Sequence, residues 1–134
     1  MTSQDTRSWY NMIRVGSTIT LEAWDIIYKS NIDWNHAWGA APANLIPNYM
    51  WGIKPITSGF AKASIQPQLS VLENSSIKVP TPHGGIEASF EKTNEGNGLY
   101  IISIPTGVEG EFSMPFETGL NVLHNNERKI VLTH

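Results

Sequence analysis

The 134-residue sequence contains no cysteine. Disulfide staples and thiolate metal sites are therefore excluded, although this absence fixes no compartment. Charge is also scarce: 16% of residues are Asp, Glu, Lys or Arg, against 40% hydrophobic. A chain with so little charge either buries much of its surface or has lost a partner that covered some of it. The net charge is −3, with nine basic residues against twelve acidic ones. No basic patch forms, so nucleic acid is not an expected partner. No apolar run approaches the roughly 18 residues of a membrane helix, so no membrane partner is expected either. The start, Met1-Thr2-Ser3-Gln4-Asp5, is polar and lacks a signal-peptide pattern. Tryptophan is absent after Trp51.

What is present divides the chain in two. From 3 to 15 the apolar period is helical, with Trp9, Met12 and Ile13 at i, i+3, i+4 and Ser3 or Asp5 available as a cap. Gly16 supplies a stop. Residues 17–33 read as an ordered loop, extended over 18–21 and with a helical turn over 23–28. A second helix is expected within 38–51. Pro42 suits its first turn, and Pro47 demands a kink or a late start. Residues 54–59 read as the linker between the halves.

From Gly59 the period changes to two. Candidate strands are 61–66, 71–79, 85–93, 98–104, 109–114, 121–124 and 129–133, separated by Pro, Gly and Asn clusters. Asn97-Gly98 and Asn125-Asn126 suit tight hairpin turns. Short strands at this spacing imply an antiparallel β-sandwich. The fold expected is mainly β with an α-helical N-terminal part, divided into residues 1–58 and 59–134.

Chemistry concentrates before the switch. Glu22 lies between Leu21 and Trp24, and a carboxylate in apolar surroundings has its charged form disfavoured, which suits a general acid or base. The plainer alternative is a surface Glu beside a buried Trp. Asp25 either orients a partner or caps the turn that follows. His36, in Asn35-His36-Ala37-Trp38, is either a site imidazole or one bonded to a carbonyl near a helix start. Trp24, Trp34 and Trp38 are each core or sugar platform, and Trp34, in the polar turn, is the best platform. Ring faces pack on sugar C–H faces while carboxylate, amide and imidazole groups take the hydroxyls. The four His, at 36, 83, 124 and 134, show no metal-ligand spacing. Gly84-Gly85 is followed by no Lys and no helix pattern, so it makes no phosphate loop. No metal or cofactor is expected.

Five motifs stand in order: Gly16-x-Thr18-x-x-x-Glu22-Ala23-Trp24-Asp25; Asn35-His36-Ala37-Trp38-Gly39-x-Ala41-Pro42; Gly52-Ile53-x-Pro55-x-x-x-Gly59-Phe60; Ile65-x-Pro67; and Thr81-Pro82-His83-Gly84. Together they resemble the C-terminal end of the bacterial α-L-rhamnosidases, over nearly the whole chain. The resemblance implies an inverting glycoside hydrolase with an (α/α)6 barrel followed by an antiparallel sandwich. It implies that Glu22 is the base that activates water, with Trp24, His36 and Trp38 around the bound rhamnosyl group. Leu21 stands where the family commonly has an aromatic. The general acid would belong to an earlier barrel segment outside this sequence. The resemblance thus implies the end of an incomplete barrel joined to a whole sandwich, inactive by itself. The parent's compartment stays open among periplasmic, extracellular and cytoplasmic.

Two other classes compete. One is a non-catalytic carbohydrate-binding sandwich, although its aromatics are only Phe60, Phe90, Tyr100, Phe112 and Phe116. The other is a structural cap whose helices serve an oligomer interface. Under the hydrolase reading, Trp9, Met12, Ile13, Trp24, Trp38 and Trp51 are expected to be covered by further barrel helices. Without those helices, a homo-oligomer through the exposed ones is expected.

Overall fold

The computed structural model describes residues 2–69, 71–94, 98–114, 121–126 and 129–133, the last two stretches as strand backbone. Asn97 of the expected hairpin turn, Phe116 and His134 lie outside the described residues. Internal contacts divide the chain into two compact units, Met1–Leu45 and Ile46–His134.

The first unit is largely loop around a small core. Helix α1 is shorter than its apolar period suggests, running only over Trp9–Arg14. Ser8 caps it, its hydroxyl accepting from the Asn11 N–H at 3.1 Å. The expected cap residues Ser3 and Asp5 instead bond each other, and the Asp5 carbonyl accepts from the Ser8 hydroxyl at 2.7 Å. Of the expected inward residues Trp9 and Met12 meet the core and Ile13 does not. Ser8, Asn11 and Met12 are buried, whereas Ile13 is 70% exposed. The cause is polar. Asn11 points inward because its amide donates to the Trp24 carbonyl at 3.0 Å and to Asp25 Oδ2 at 2.8 Å. A buried amide with these partners costs little, and an i, i+3, i+4 count of apolar residues does not see it. Leu21 and Ile32 complete the core with Met12, and Trp9, Val15, Ala23 and Trp24 pack around them. Leu21, at the position where the resemblance implies an aromatic, is an aliphatic core residue, 1% exposed.

Residues 18–21 form no strand, and 23–28 hold a single turn, closed by the Tyr28 N–H on Asp25 O at 3.1 Å, rather than a helix. The loop is nevertheless tied down by backbone bonds across it. His36 N–H donates to Thr20 O at 2.9 Å and Glu22 N–H to Asp33 O at 3.0 Å. The second helix breaks into three. A 3-10 turn over Ala37–Ala40 leads into α2, Ala41–Leu45. A π turn over Ile46–Met50 opens the second unit. Pro42 occupies the first turn of α2, where its missing N–H costs nothing. Pro47 falls where the helical period changes, as a ring inside a helix requires.

The second unit is a β-sandwich following the helical segments. Strands are β1 Lys54–Pro55, β2 Lys62–Ile65, β3 Asn74–Thr81, β4 Gly84–Lys92, β5 Gly98–Ser103, β6 Glu109–Phe112, β7 Asn121–Asn126 and β8 Lys129–Thr133. One sheet has the order β1-β2-β6 and the other β3-β4-β5-β8-β7. The expected linker therefore carries an edge strand and a short 3-10 turn, Ser58–Phe60. Pairing is antiparallel except for β2 with β6, which run parallel with Ala63 opposite Gly110. That pair departs from the all-antiparallel expectation. Strands so far apart in sequence are joined by no hairpin, so nothing in their turns forces an antiparallel pair. Asn125 and Asn126 are strand residues, facing Ile130 and Lys129, rather than the turn itself. Thr81-Pro82-His83-Gly84 does form a turn, with Thr81 opposite Gly84.

The two sheets share one core. Alternate residues Ile86, Ala88 and Phe90 of β4 and Tyr100 and Ile102 of β5 face inward. Ala63, Ile65 and Trp51 meet them. Trp51 is fully buried in this unit, so its cover is the sandwich itself rather than further barrel helices. Gly52 turns the chain beneath it at φ 64°. A Cβ there would lie 2.3 Å from the Gln66 carbonyl oxygen, which explains glycine at this motif position.

Candidate active site

The 20–36 loop of the first unit gathers the candidate residues. Its two backbone bonds bring the strand-like segment around Glu22 beside the segment Asp33 to His36. Thr20 adds a side-chain bond, its hydroxyl donating to the His36 carbonyl at 2.7 Å. Gly39 permits the close approach that follows. A Cβ there would sit 2.7 Å from the Leu21 carbonyl oxygen and 2.8 Å from Thr20 Cβ. The Gly39 carbonyl accepts from Trp9 Nε1 at 2.7 Å, linking α1 to the same turn.

Leu21 is buried in the core, 1% exposed, and Glu22, at the bend that follows, is only partly buried. The Glu22 side chain is 25% exposed and pairs with the Lys29 ammonium. Its Oε2 accepts from the Asp33 N–H at 3.3 Å. The Lys29 hydrogen bond is the main cause that holds the Glu22 carboxyl below its ordinary value of 4.5, and the Asp33 N–H acts the same way. Desolvation opposes them and loses. This corrects the expectation that apolar neighbours disfavour the charged form. Leu21 and Trp24 flank Glu22 in sequence only, and its partners in space are a cation and an amide. A carboxylate so held is ionised at neutral pH. It can accept a proton and is unsuited to donate one.

His36 Nδ1 lies 3.8 Å from Asp33 Oδ2, and one ligand atom each from Glu22, Asp33 and His36 falls within 4.8 Å of the others. The His36 ring lies 5.9 Å from the Trp38 ring at 47°. Trp38 is 86% exposed and Trp34 49% exposed, so both offer ring faces to solvent. Trp24 behaves differently. It is half-buried, edge-on to Trp9 with centroids 5.0 Å apart at 88°. Asp25 caps its turn, accepting from Ile27 N–H at 3.3 Å, and takes the Asn11 amide, which depresses its pKa. Of its two sequence readings, the capping one describes its contacts. Lys29 and Asp33 were missed by sequence reasoning. Only a signal of distance could have found Lys29, seven residues from its carboxylate.

The comparisons with known proteins bear on this loop and on the sandwich. A family model described as the bacterial α-L-rhamnosidase C-terminal domain matches residues 52–129. The chain belongs to the bacterial α-L-rhamnosidase family. A second model, the six-hairpin glycosidase domain of bacterial α-L-rhamnosidases, matches residues 1–50, which contain the Glu22 loop. An α-L-rhamnosidase from Alteromonas sp. (strain LOR) is 31% identical over 118 residues, covering 81% of this chain. One from Formosa agariphila is 26% identical over 128 residues, covering 90% of it. The chain spans only 12% and 14% of the length of these two rhamnosidases. Among solved structures, the α-L-rhamnosidase of Dictyoglumus thermophilum aligns over 99% of this chain and 17% of its own, at TM-score 0.73 and 22% identity. The Streptomyces avermitilis α-L-rhamnosidase complexed with L-rhamnose aligns over 98% and 14%, at TM-score 0.72 and 18% identity. At these identities the structural likeness is one of fold.

Proposed function

We propose that this chain is the C-terminal portion of an inverting α-L-rhamnosidase, removing terminal α-L-rhamnose from glycosides or polysaccharides, with Glu22 as its general base. What carries the reading is the match of residues 1–50 to the six-hairpin glycosidase domain, together with a Glu22 held ionised on its loop. Glu22 takes a proton from water as the water oxygen attacks the anomeric carbon. The bond to the leaving oxygen breaks on the opposite face, where an acid from an earlier barrel segment supplies a proton. Inverting enzymes set the two carboxyl groups roughly 6.5–9.5 Å apart to admit that water. Trp34 and Trp38 take sugar faces and His36 a hydroxyl, while Trp24 packs edge-on against Trp9. The alternative of a carbohydrate-binding sandwich finds less support. Phe90 and Tyr100 are buried in the core, and Phe60 and Phe112 are half-buried against it.

The reading predicts no turnover of an aryl α-L-rhamnoside by the 134-residue chain, and turnover by a protein extended N-terminally through the rest of the barrel. Release of the aryl alcohol is the measurement. Robust hydrolysis by the short chain would contradict it.

The first unit also keeps apolar surface that further barrel helices would cover. Ile13, Ile19, Ile26 and Ile27 are each at least half exposed. Trp9, Met12, Ile13 and Ile19 line a groove of about 350 Å3 with Pro42 and Ala43. At roughly 25 cal/mol per Å2, covering such surface favours association. Sedimentation of the short chain should show a dimer or larger species, and a strict monomer at high concentration would refute this.

A further inference from the structure

Glu22 is gripped from two sides, and both grips come from the stretch that follows it. One carboxylate oxygen, Oε1, meets the Lys29 ammonium. The other, Oε2, takes the Asp33 N–H at 3.3 Å. Two donors on two oxygens fix the carboxylate plane, which one donor cannot do. Each oxygen retains a second lone pair, so the group can still accept a proton from water. The Glu22 N–H is itself bound to the Asp33 carbonyl at 3.0 Å, which anchors the backbone on which the side chain turns. Lys29 is 40% exposed and Glu22 25%, so the pair is accessible rather than sealed in a core. An ion pair at such exposure contributes little to stability, and its placement on this one carboxylate therefore calls for another reason.

We propose that Lys29 is a positioning residue for the hydrolytic reaction: with the Asp33 N–H, its ammonium fixes the orientation and the charge of the Glu22 carboxylate. This rests on the reading of Glu22 as the base. Lys29 itself touches no reacting atom. The charged and titratable groups facing Glu22 among the described residues are Lys29, Asp33 and His36. Asp33 is the only anion among them, and it sits against His36. Lys29 is thus the permanent cation at the carboxylate. Its loss leaves Glu22 with one amide donor and a free torsion.

The test uses Lys29→Met and Lys29→Arg in the N-terminally extended enzyme, with Glu22→Gln beside them. Lys29→Met should lower kcat by about 10²-fold through misplacement of the base, with KM little changed. The acid limb of its pH–rate profile should also move to higher pH, because the folded pKa of Glu22 is no longer depressed. Lys29→Arg should restore most of kcat and return the limb. A merely structural lysine would not move the limb. A second readout is independent of activity. Carboxyl-carbon NMR of Glu22 in the 134-residue chain should show its titration moved up in Lys29→Met and kept low in Lys29→Arg. An unmoved limb and an unmoved titration in Lys29→Met overturn the role of Lys29, whatever Glu22 does. A fully active Glu22→Gln overturns instead the reading of Glu22 as base, whatever the titration of Lys29→Met shows.

Discussion

Glu22→Gln in the N-terminally extended enzyme should lose about 10²–10⁴-fold in kcat, with KM nearly unchanged. The substitution keeps the shape of the side chain and removes its capacity to take a proton, together with the charge that pairs with Lys29. The Asp33 N–H can still donate to an amide oxygen, which keeps one of the two bonds that hold the side chain, while Lys29 loses its acceptor. The interaction lost is one made as the water is deprotonated, and it contributes little to binding the sugar. A change confined to KM would indicate that Glu22 only holds substrate. The pH dependence of the unsubstituted enzyme should agree with this. A base held below the ordinary 4.5 by Lys29 and Asp33 is ionised through the neutral range, so activity falls on the acid side only once pH drops through that lowered value.

The second large effect concerns the sandwich. Trp51→Ala should destabilise the Ile46–His134 unit by about 3–5 kcal/mol, the usual cost of deleting a buried large aromatic. Trp51 has no exposed surface, and its Nε1 donates to the Ser75 hydroxyl at 3.2 Å. Ile53, Ala63 and Ile65 belong to the same core, and Gly52 fixes the turn beside it. The site can collapse only by moving both sheets. Folded domains hold roughly 5–15 kcal/mol in all, so the loss is a large part of the total. Denaturant unfolding followed by β-sheet circular dichroism would measure it. A shift under about 1 kcal/mol would mean that Trp51 is not a keystone of this core.

The strands were legible because they obey period two on a half-buried surface. Ile86, Ala88 and Phe90 alternate with outward residues, as do Tyr100 and Ile102. The parallel β2–β6 pair was not legible, since no turn chemistry encodes a pairing between Lys62 and Glu109. Helix α1 was read in the right place; of its expected stripe Trp9 and Met12 pack inward, while Ile13 is exposed and Asn11 takes the inward position. An Asn satisfied by Asp25 looks polar in sequence and behaves as core in space. The same limit governs the site. Glu22, Trp34, His36 and Trp38 stood out by residue type and motif. The partner that sets the charge of Glu22 stood out by neither. Lys29 reaches it only because the loop folds back through the Thr20–His36 and Glu22–Asp33 backbone bonds. Sequence neighbours suggested an apolar setting, and three-dimensional neighbours supply a cation.

The most direct measurement of Glu22 as the base is azide rescue of Glu22→Ala in the extended enzyme. With the carboxylate gone, the variant cannot deprotonate water, but azide needs no deprotonation and fits the space left by the side chain. Added azide should restore release of an activated aryl leaving group and yield a rhamnosyl azide of anomeric configuration opposite to that of the substrate, read by NMR. Hydrolysis of the same substrate by Glu22→Ala at the unsubstituted rate, with no azide product, would contradict it.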